Sequence, residues 1–563
     1  MRTVTFAHLW VDGAWQTDVA VDIDVAGRVV ALRAGQPPAT APGPAPAASG
    51  PATAPAEYVP GLTLPGLADA HCHAFQRLLP PWTQRARASS EQGAPREDFW
   101  TWREAMYVAA AHLGPQELEA VAARCYMDLL RGGYTAVAEF LYLHRLAQGT
   151  PWERRRGAGT GGTGGTAVAG RTAVAGRTAV AGGRAGGAKG PPGGRAAPLN
   201  ADVAIVAAAR RAGIRLLLLP ALYQHADFGG AALSAAQAPF ERSVQQFLQD
   251  WEELKRRYPA ADADAAADAD ADADAAADAD ADAVAAADAR ADGTLTLGVA
   301  FHSLRAVDVS TVAQLATRLA ADRSCRVFHL HVAEQPAEVL ACIAHHGRRP
   351  VALLAERGLL GPRWALVHAI HTTASELQQI AQAGATLVIC PTTEADLGDG
   401  YADLELYLAS GGRLAIGSDS NIGRSAYAEL RTLEWGLRQR QGRRNVLTSS
   451  AEPAVADRLL RAVRAGGWAA LGQPEAGAPG ASADFVTFDA DEGDWPLVPP
   501  ENFLSALVFD AAAPRAREVM VAGRWVIRRG VHLRQGLIER RYRAALMRLQ
   551  PPLRAALARG AGA

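Results

Sequence analysis

Hydrophobic positions along this chain fall into short continuous runs, most of them separated by longer segments with a helical period. Such runs are typical of strands buried on both faces, and segments such as "PQELEAVAARCYMDLLRGG" and "TASELQQIAQAG" are typical of the helices that cover them. Eight runs in this arrangement predict an α/β protein with a closed, TIM-like (β/α)8 barrel. The runs are "GLADAHCH" (66–73), "YTAVAEF" (134–140), "RLLLLPAL" (215–222), "LTLGVAFHSL" (295–304), "RVFHLHVAE" (326–334), "WALVHAI" (364–370), "ATLVICPTT" (385–393) and "RLAIGSDS" (413–420).

The two ends of the chain follow another pattern, in which apolar and polar residues alternate between tight turns. "TFAHLWVDGAW" and "VDIDVAGRVVAL" stand near the start, and "ADFVTFDA" and "REVMVAGRWVIRRG" stand near the end. Alternation of this kind predicts half-buried strands, so we expect both termini to build a small β-domain beside the barrel. The predicted limits are 1–64 for its first part, 65–480 for the barrel, and 481–563 for its second part with a terminal helix.

Two stretches inside the predicted barrel lack the large apolar residues that would offset the entropy of ordering. Residues 157–198 are nearly all Gly, Ala, Thr, Arg and Pro, with the repeat "TAVAGR", and residues 260–293 are mostly alternating Ala and Asp. We predict that both are disordered surface insertions, before the third and the fourth barrel strand.

Charge and cysteine usage limit the partners and the compartment. The formal net charge of −1 argues against a nucleic acid or an anionic membrane as the main partner. The start of the chain has no apolar core of signal-peptide length, and no run of about 18 apolar residues follows. The five cysteines are scattered without a CxxC pair, which suits free thiols in a reducing compartment. The sequence therefore predicts a soluble, cytoplasmic protein.

Polar residues stand at the ends of six of the eight predicted strands. In barrels of this type the reactive groups gather at the carboxyl ends of the strands. A lone histidine at such a position is more often structural, whereas several at one rim favour a functional site. In strand order these residues are His71 and His73, Glu139, His302 and Arg305, His331 and Glu334, His368, and Asp419.

Four of these residues have the composition of a catalytic zinc site. His71 and His73 share one face of a strand, since side chains at i and i+2 point the same way. With His331 and Asp419 they make a set of three nitrogens and one oxygen that leaves room for water. No lysine ends the fourth strand, so we expect no lysine-derived bridge and one metal ion. Cys72 points to the opposite face and is predicted to be core.

Several longer motifs carry a resemblance to a known family. These are "HAFQR", "FWTWRE", "HSLRAV", "HVAEQ", "CPTTEADLGDG" and "GSDSN" with the following "AELRTLEWG". Together they resemble the deaminase branch of the amidohydrolase superfamily, and within it the deiminases of histidine degradation. The resemblance covers the whole chain apart from the insertions. One departure is Leu141, which stands where the family usually has His.

The resemblance implies roles for the metal-site residues. One zinc ion per chain would be held by His71, His73, His331 and Asp419. Asp419 would also accept a proton from the attacking water, Glu334 would carry protons to the substrate nitrogen, and His368 would stabilise the charge on the attacked centre.

The resemblance also implies which residues bind the substrate. Arg305 and Arg103 match positions that read carboxylates, and guanidinium groups suit that task because each can grip a carboxylate with two hydrogen bonds. Gln76 and Tyr142 match positions that hold the formimino end and a carboxylate, and His302 is a weaker candidate.

The implied reaction is the hydrolytic deimination of N-formimino-L-glutamate to N-formyl-L-glutamate and ammonia. A small molecule with two carboxylates is then the expected partner, and a homodimer the expected assembly, as is usual for such barrels. One alternative is a deaminase of guanine or a related base, although a neutral planar base has no need of two arginines. Another is a catalytically silent barrel used for assembly, although none of the metal ligands is missing.

Overall fold

The computed structural model describes residues 1–35, 57–84, 98–144, 200–259, 293–489, 495–510 and 515–560. The insertions predicted at 157–198 and 260–293 lie outside these ranges, except for Gly293.

Eight parallel strands form the barrel, in the same order in space as along the chain. The first and last strands meet through a bridge between Cys72 and Asp419. The Asp419 N–H donates to the His71 carbonyl at 2.9 Å, and the His73 N–H donates to the Asp419 carbonyl at 3.0 Å. The predicted (β/α)8 barrel is thus confirmed. Its strands are β5 (Leu67–Cys72), β6 (Tyr134–Leu141), β7 (Arg215–Leu222), β8 (Leu295–Ser303), β9 (Cys325–Val332), β10 (Trp364–His368), β11 (Thr386–Ile389) and β12 (Arg413–Ile416).

Both chain ends contribute strands to a second, mixed sheet, as predicted. Its order is β16-β15-β14-β13-β4-β1-β2-β3, so strands from the carboxyl-terminal part pair with β4 from the amino-terminal part. The domain limits at 64/65 and 480/481 stay a prediction. The strands are β1 (Arg2–Val11), β2 (Ala14–Ile23), β3 (Val29–Arg33), β4 (Glu57–Pro65), β13 (Phe485–Phe488), β14 (Ala516–Val521), β15 (Arg524–Arg528) and β16 (Val531–His532).

Helices follow most barrel strands and cover the barrel. The described helices are α1 (Pro80–Thr83), α2 (Phe99–His112), α3 (Pro115–Arg131), α4 (Asn200–Ala212), α5 (Val244–Arg257), α6 (Val309–Ala320), α7 (Pro336–His346), α8 (Pro350–Glu356), α9 (Ala374–Gln382), α10 (Pro391–Leu397), α11 (Leu404–Ala409), α12 (Ala426–Gln441), α13 (Val455–Ala470), α14 (Phe503–Phe509) and α15 (Gln535–Gly560). No helix in these parts of the chain has the length and apolarity needed to cross a membrane.

The last barrel strands are shorter than their hydrophobic runs suggest. The run at 385–393 ends as a strand at Ile389, because Pro391 begins α10 two residues later. Proline suits the first turn of a helix, where its missing N–H is not needed. The residues after Ile389 therefore turn back over the rim of the barrel instead of extending the strand.

The barrel and the second sheet are joined directly. β4 is followed after one residue by β5, and the Gly66 N–H donates to the Asp484 carbonyl at 2.9 Å. At the start of β7, the buried Arg215 makes an ion pair with Asp484 at 3.3 Å. The second sheet therefore packs against the amino-terminal ends of the strands, opposite the rim that carries the predicted site.

Candidate active site

The structure brings the four predicted metal ligands together at the carboxyl ends of β5, β9 and β12. The His71 and His331 Nε2 atoms are 2.9 Å apart. The Asp419 Oδ1 atom lies 3.4 Å from His73 Nε2 and 3.6 Å from His71 Nε2. All four residues are buried. Their roles as ligands stay a prediction, which their mutual distances support.

Backbone carbonyls fix which ring nitrogens of two histidines are free. The Nδ1 atom of His73 lies 2.8 Å from the Phe140 carbonyl, and that of His331 lies 2.8 Å from the His302 carbonyl. A carbonyl oxygen can only accept, so each Nδ1 carries the hydrogen and each Nε2 presents a lone pair. Burial lowers the pKa of His73 to about 3, so its ring is neutral. Neutral imidazoles and a carboxylate are the donors that a divalent metal such as zinc requires.

Two features of the backbone hold these side chains in place. Asp419 has a φ of 43° and His368 a φ of 70°, which places both in the left-handed region. Non-glycine residues in this region are uncommon and are concentrated at functional sites. Gly417 passes so close to β5 that an added Cβ would lie 2.7 Å from the Cβ of His71. The "GSDS" stretch therefore needs its glycine for close approach to the first strand.

Carboxylates surround His368 on two sides. Its Nδ1 lies 3.2 Å from Glu394 Oε1, and its Nε2 lies 3.7 Å from Glu334 Oε1 and 3.9 Å from Asp419 Oδ2. Burial would lower the pKa of His368, but Glu334 and the other two carboxylates outweigh it and raise this pKa to about 10. Burial in turn raises the pKa of Asp419 to about 7. The arrangement thus holds an imidazolium among groups that can exchange protons.

The predicted substrate residues line the same rim. Gln76 donates from Nε2 to the Tyr142 hydroxyl at 2.6 Å, beside the His73 ring. Arg103 and Arg305 are both buried, and their guanidinium carbons lie 5.6 Å and 5.8 Å from the Trp100 ring centroid. The two arginines therefore share one aromatic face.

His302 lies between the metal-site histidines and the arginine side of the rim. Its ring centroid is 5.1 Å from that of His331 and 4.5 Å from that of Tyr223. Tyr223 in turn accepts a hydrogen bond from Arg103 Nη2 at 2.7 Å. Predicted metal and substrate residues thus form one continuous cluster. Their substrate-binding roles stay a prediction.

Sequence reasoning missed several residues of this cluster. Glu394 and Tyr223 were assigned no role, although Glu394 lies within the "CPTTEADLGDG" motif and Tyr223 directly follows the third barrel strand. Asp69 was also missed. It accepts from the Ser418 N–H at 2.9 Å, and its burial raises its pKa to about 7. A lone aspartate inside an apolar run was the available signal for this residue.

The chain is similar in sequence to proteins named as a deiminase and as a deaminase. The chain is 36% identical over 478 residues to a formimidoylglutamate deiminase of Pseudomonas aeruginosa, covering 85% of this chain and 87% of that protein. It is 31% identical to a 5-methylthioadenosine/S-adenosylhomocysteine deaminase of Halobacterium salinarum, over 42% of this chain and 53% of that protein.

A crystal structure of an amidohydrolase from Brucella melitensis superposes with a TM-score of 0.74 at 29% identity, covering 98% of this chain and 100% of that one. The model of the amidohydrolase family matches residues 62–526, which include all eight barrel strands and every predicted site residue. This chain belongs to the amidohydrolase family.

Proposed function

We propose that this protein hydrolyses N-formimino-L-glutamate to N-formyl-L-glutamate and ammonia, with one zinc ion per chain. The observation that carries the proposal is a pair of buried arginines that have no carboxylate partner among the described residues, beside a cluster of three histidines and an aspartate. The similarity to a relative named formimidoylglutamate deiminase, over 85% of this chain, supports the same reaction.

The two arginines favour a substrate with two negative charges. Arg305 is 6% exposed, and it makes neither a hydrogen bond nor an ion pair with any residue that the structure describes. Arg103 is 9% exposed, and among the same residues it has the Tyr223 hydroxyl but no carboxylate. A buried cation without a counter-charge is costly, so these positions are best explained by a ligand that supplies the anions.

No carboxylate of the described residues takes that place. Arg305 lowers the pKa of the buried Glu338, but burial outweighs this effect and raises the pKa overall. Both Glu338 oxygens already accept hydrogen bonds, from the Ala333 N–H at 3.0 Å and the Glu334 N–H at 3.1 Å. Neither oxygen lies within ion-pair distance of Arg305, so the charge of Arg305 is available for the substrate.

His71, His73, His331 and Asp419 would hold the metal ion. When bound, zinc activates water for attack near neutral pH. Asp419 lies at the edge of the ligand set, where its second oxygen can accept the proton of the attacking water. Glu334 would carry that proton to the substrate nitrogen, since it faces His368 on the same side of the cluster.

Atoms balance over the reaction. The formimino carbon gains oxygen from one water molecule and loses its terminal nitrogen as ammonia, leaving a formamide. His368, held as an imidazolium by its carboxylate neighbours, would stabilise negative charge at the attacked centre. Gln76 and Tyr142 would orient the formimino end.

The remaining expectations belong to the same proposal. We place the protein in the cytoplasm as a homodimer that acts on a small molecule and has neither a nucleic acid nor a membrane as partner. All five cysteines are free and buried thiols, which agrees with a reducing compartment.

An ammonia-release assay tests the proposal. Purified, zinc-loaded protein is given N-formimino-L-glutamate, N-formimino-L-aspartate or guanine in parallel. We expect the highest kcat/KM with N-formimino-L-glutamate and no release from guanine, because a neutral base leaves both arginines unpaired. Arg349→Met is the matched control, since Arg349 already has a partner in Glu376 at 2.8 Å. Turnover of guanine without turnover of the formimino compound would refute the proposal in favour of a nucleobase deaminase.

A further inference from the structure

Tyr223 has a hydroxyl group whose hydrogen-bond pattern leaves one direction open. The residue directly follows β7 and is 1% exposed. Its oxygen lies 2.7 Å from Arg103 Nη2 and 3.0 Å from Gln237 Nε2. Its ring lies against His302, on the side of the rim that carries the two arginines.

Both contacts to this oxygen are donated by the neighbour. A guanidinium group has no acceptor, so Arg103 can only donate. The amide of Gln237 is oriented by the Ser234 backbone N–H, which donates to Gln237 Oε1 at 3.0 Å. Because Oε1 accepts there, the atom facing Tyr223 is the NH2 group, which donates.

The tyrosine oxygen therefore has its acceptor capacity filled while its own hydrogen is free. Among the residues that the structure describes, no acceptor for this hydrogen lies within hydrogen-bond distance. A buried O–H group without an acceptor is costly, as is a buried guanidinium without an anion. Two donors on the same oxygen also polarise the O–H bond and make it a stronger donor.

We infer that Tyr223 donates its hydroxyl hydrogen directly to a substrate carboxylate, as a third donor beside Arg103 and Arg305, and so selects for an anionic group. Gln237 acts through it as a positioning residue. The inference rests on the proposed function only in attributing that carboxylate to the substrate.

Binding of a simple dicarboxylate tests this role without turnover. Glutarate is titrated into metal-loaded protein by calorimetry, for the wild type and for Tyr223→Phe. We expect Kd to rise about tenfold or more, the usual effect of losing one hydrogen bond to a charged group. Tyr407→Phe is the matched control. This tyrosine is equally buried, but its single hydroxyl hydrogen has two acceptors in reach. These are the Ala385 and Arg413 carbonyls, which lie just before β11 and at the start of β12. Its Kd should equal that of the wild type.

A double-mutant cycle separates direct donation from support of Arg103. In an Arg103→Met background, Tyr223→Phe should still weaken glutarate binding several-fold. An effect that disappears in that background would mean that Tyr223 only positions Arg103, and it would overturn the inference. A change of less than about twofold in the wild-type background, near the low end for even a neutral hydrogen bond, would overturn it as well.

Two further controls keep the result interpretable. If Tyr223→Phe alone does not fold, Gln237→Leu is compared with the double variant that also carries Tyr223→Phe. The leucine removes the Gln237 amide group, which phenylalanine at 223 would otherwise leave without an acceptor. Failure of the wild type to release ammonia from N-formimino-L-glutamate would refute the proposed function alone. The glutarate comparison would still decide the role of Tyr223.

Discussion

Replacing Arg305 with methionine should weaken catalysis and strengthen the fold at the same time. Arg305 is 6% exposed, and its guanidinium carbon lies 5.8 Å from the Trp100 ring centroid. Methionine has a similar length and can keep that contact, but it carries no charge. The substitution therefore removes an unpaired buried cation from the free protein and removes the partner of a carboxylate from the substrate complex.

The two effects have different sizes. Loss of one partner of a buried, hydrogen-bonded charge pair costs about 2–5 kcal/mol, so kcat/KM for the dianionic substrate should fall about 30-fold to several thousand-fold. In the ligand-free protein, replacement of a buried charge by an apolar side chain should raise the free energy of unfolding by about 1–4 kcal/mol. Arg103→Met is the matched comparison. Its gain in stability should be smaller, because it also removes the hydrogen bond to Tyr223.

Three measurements on the same preparations check this prediction. Steady-state kinetics give kcat/KM, metal analysis verifies that the zinc content is unchanged, and thermal unfolding without substrate gives the change in stability. The substitution should not alter the metal content, since Arg305 contacts none of the four ligands. The reasoning would be refuted by a loss of activity below about threefold, well under the cost of an unpaired buried charge, or by a variant that unfolds at a lower temperature than the wild type.

Three further predictions concern the metal site and the insertions. His71→Ala should lose both the single bound ion and all turnover; two ions per chain in the wild type, by metal analysis, would contradict the assignment. Gly417→Ala should weaken metal affinity about 10- to 100-fold, because the added Cβ would lie 2.7 Å from the Cβ of His71. Gly361→Ala, where an added Cβ meets nothing within 4 Å, should bind metal normally. Deletion of 157–198 or of 260–293 should leave kcat within a few-fold, since neither stretch has the apolar residues of a packed core. A much larger loss in a deletion variant with a normal circular dichroism spectrum would assign that insertion a role in catalysis or assembly.

Hydrophobic patterning predicted the barrel because each strand is buried on both faces. β6 and β7 are buried along their whole length, so their sequences are continuous apolar runs that are easily recognised. The proximity of the four predicted ligands could be expected for a related reason. They lie at the ends of three such runs, and the carboxyl ends of all eight strands meet at one rim.

The partners of other residues in the site could not be predicted in this way. The predicted run at 385–393 ends just before Glu394 and gave this residue no role, whereas α10 begins at Pro391 and places Glu394 beside His368. Gln237 lies 14 residues after Tyr223, and their contact depends on the path of the intervening loop. Contacts made by loops depend on backbone angles that a hydrophobic pattern does not encode.

Several strained backbone positions lie at the same rim as the charge of Arg305. Ala333, His368 and Asp419 all have positive φ angles, and each such position costs about 1–3 kcal/mol unless neighbouring structure enforces it. Backbone hydrogen bonds hold the chain at two of these places: Asp419 exchanges them with His71 and His73, and Ala369, the residue after His368, donates to the Val332 carbonyl of β9 at 2.9 Å. Zinc and a dicarboxylate bind only the folded protein, so each should raise the unfolding temperature. The effect of the dicarboxylate should be smaller in Arg305→Met, which lacks one of its partners, whereas the effect of zinc should equal that in the wild type, because Arg305 contacts none of the four predicted ligands.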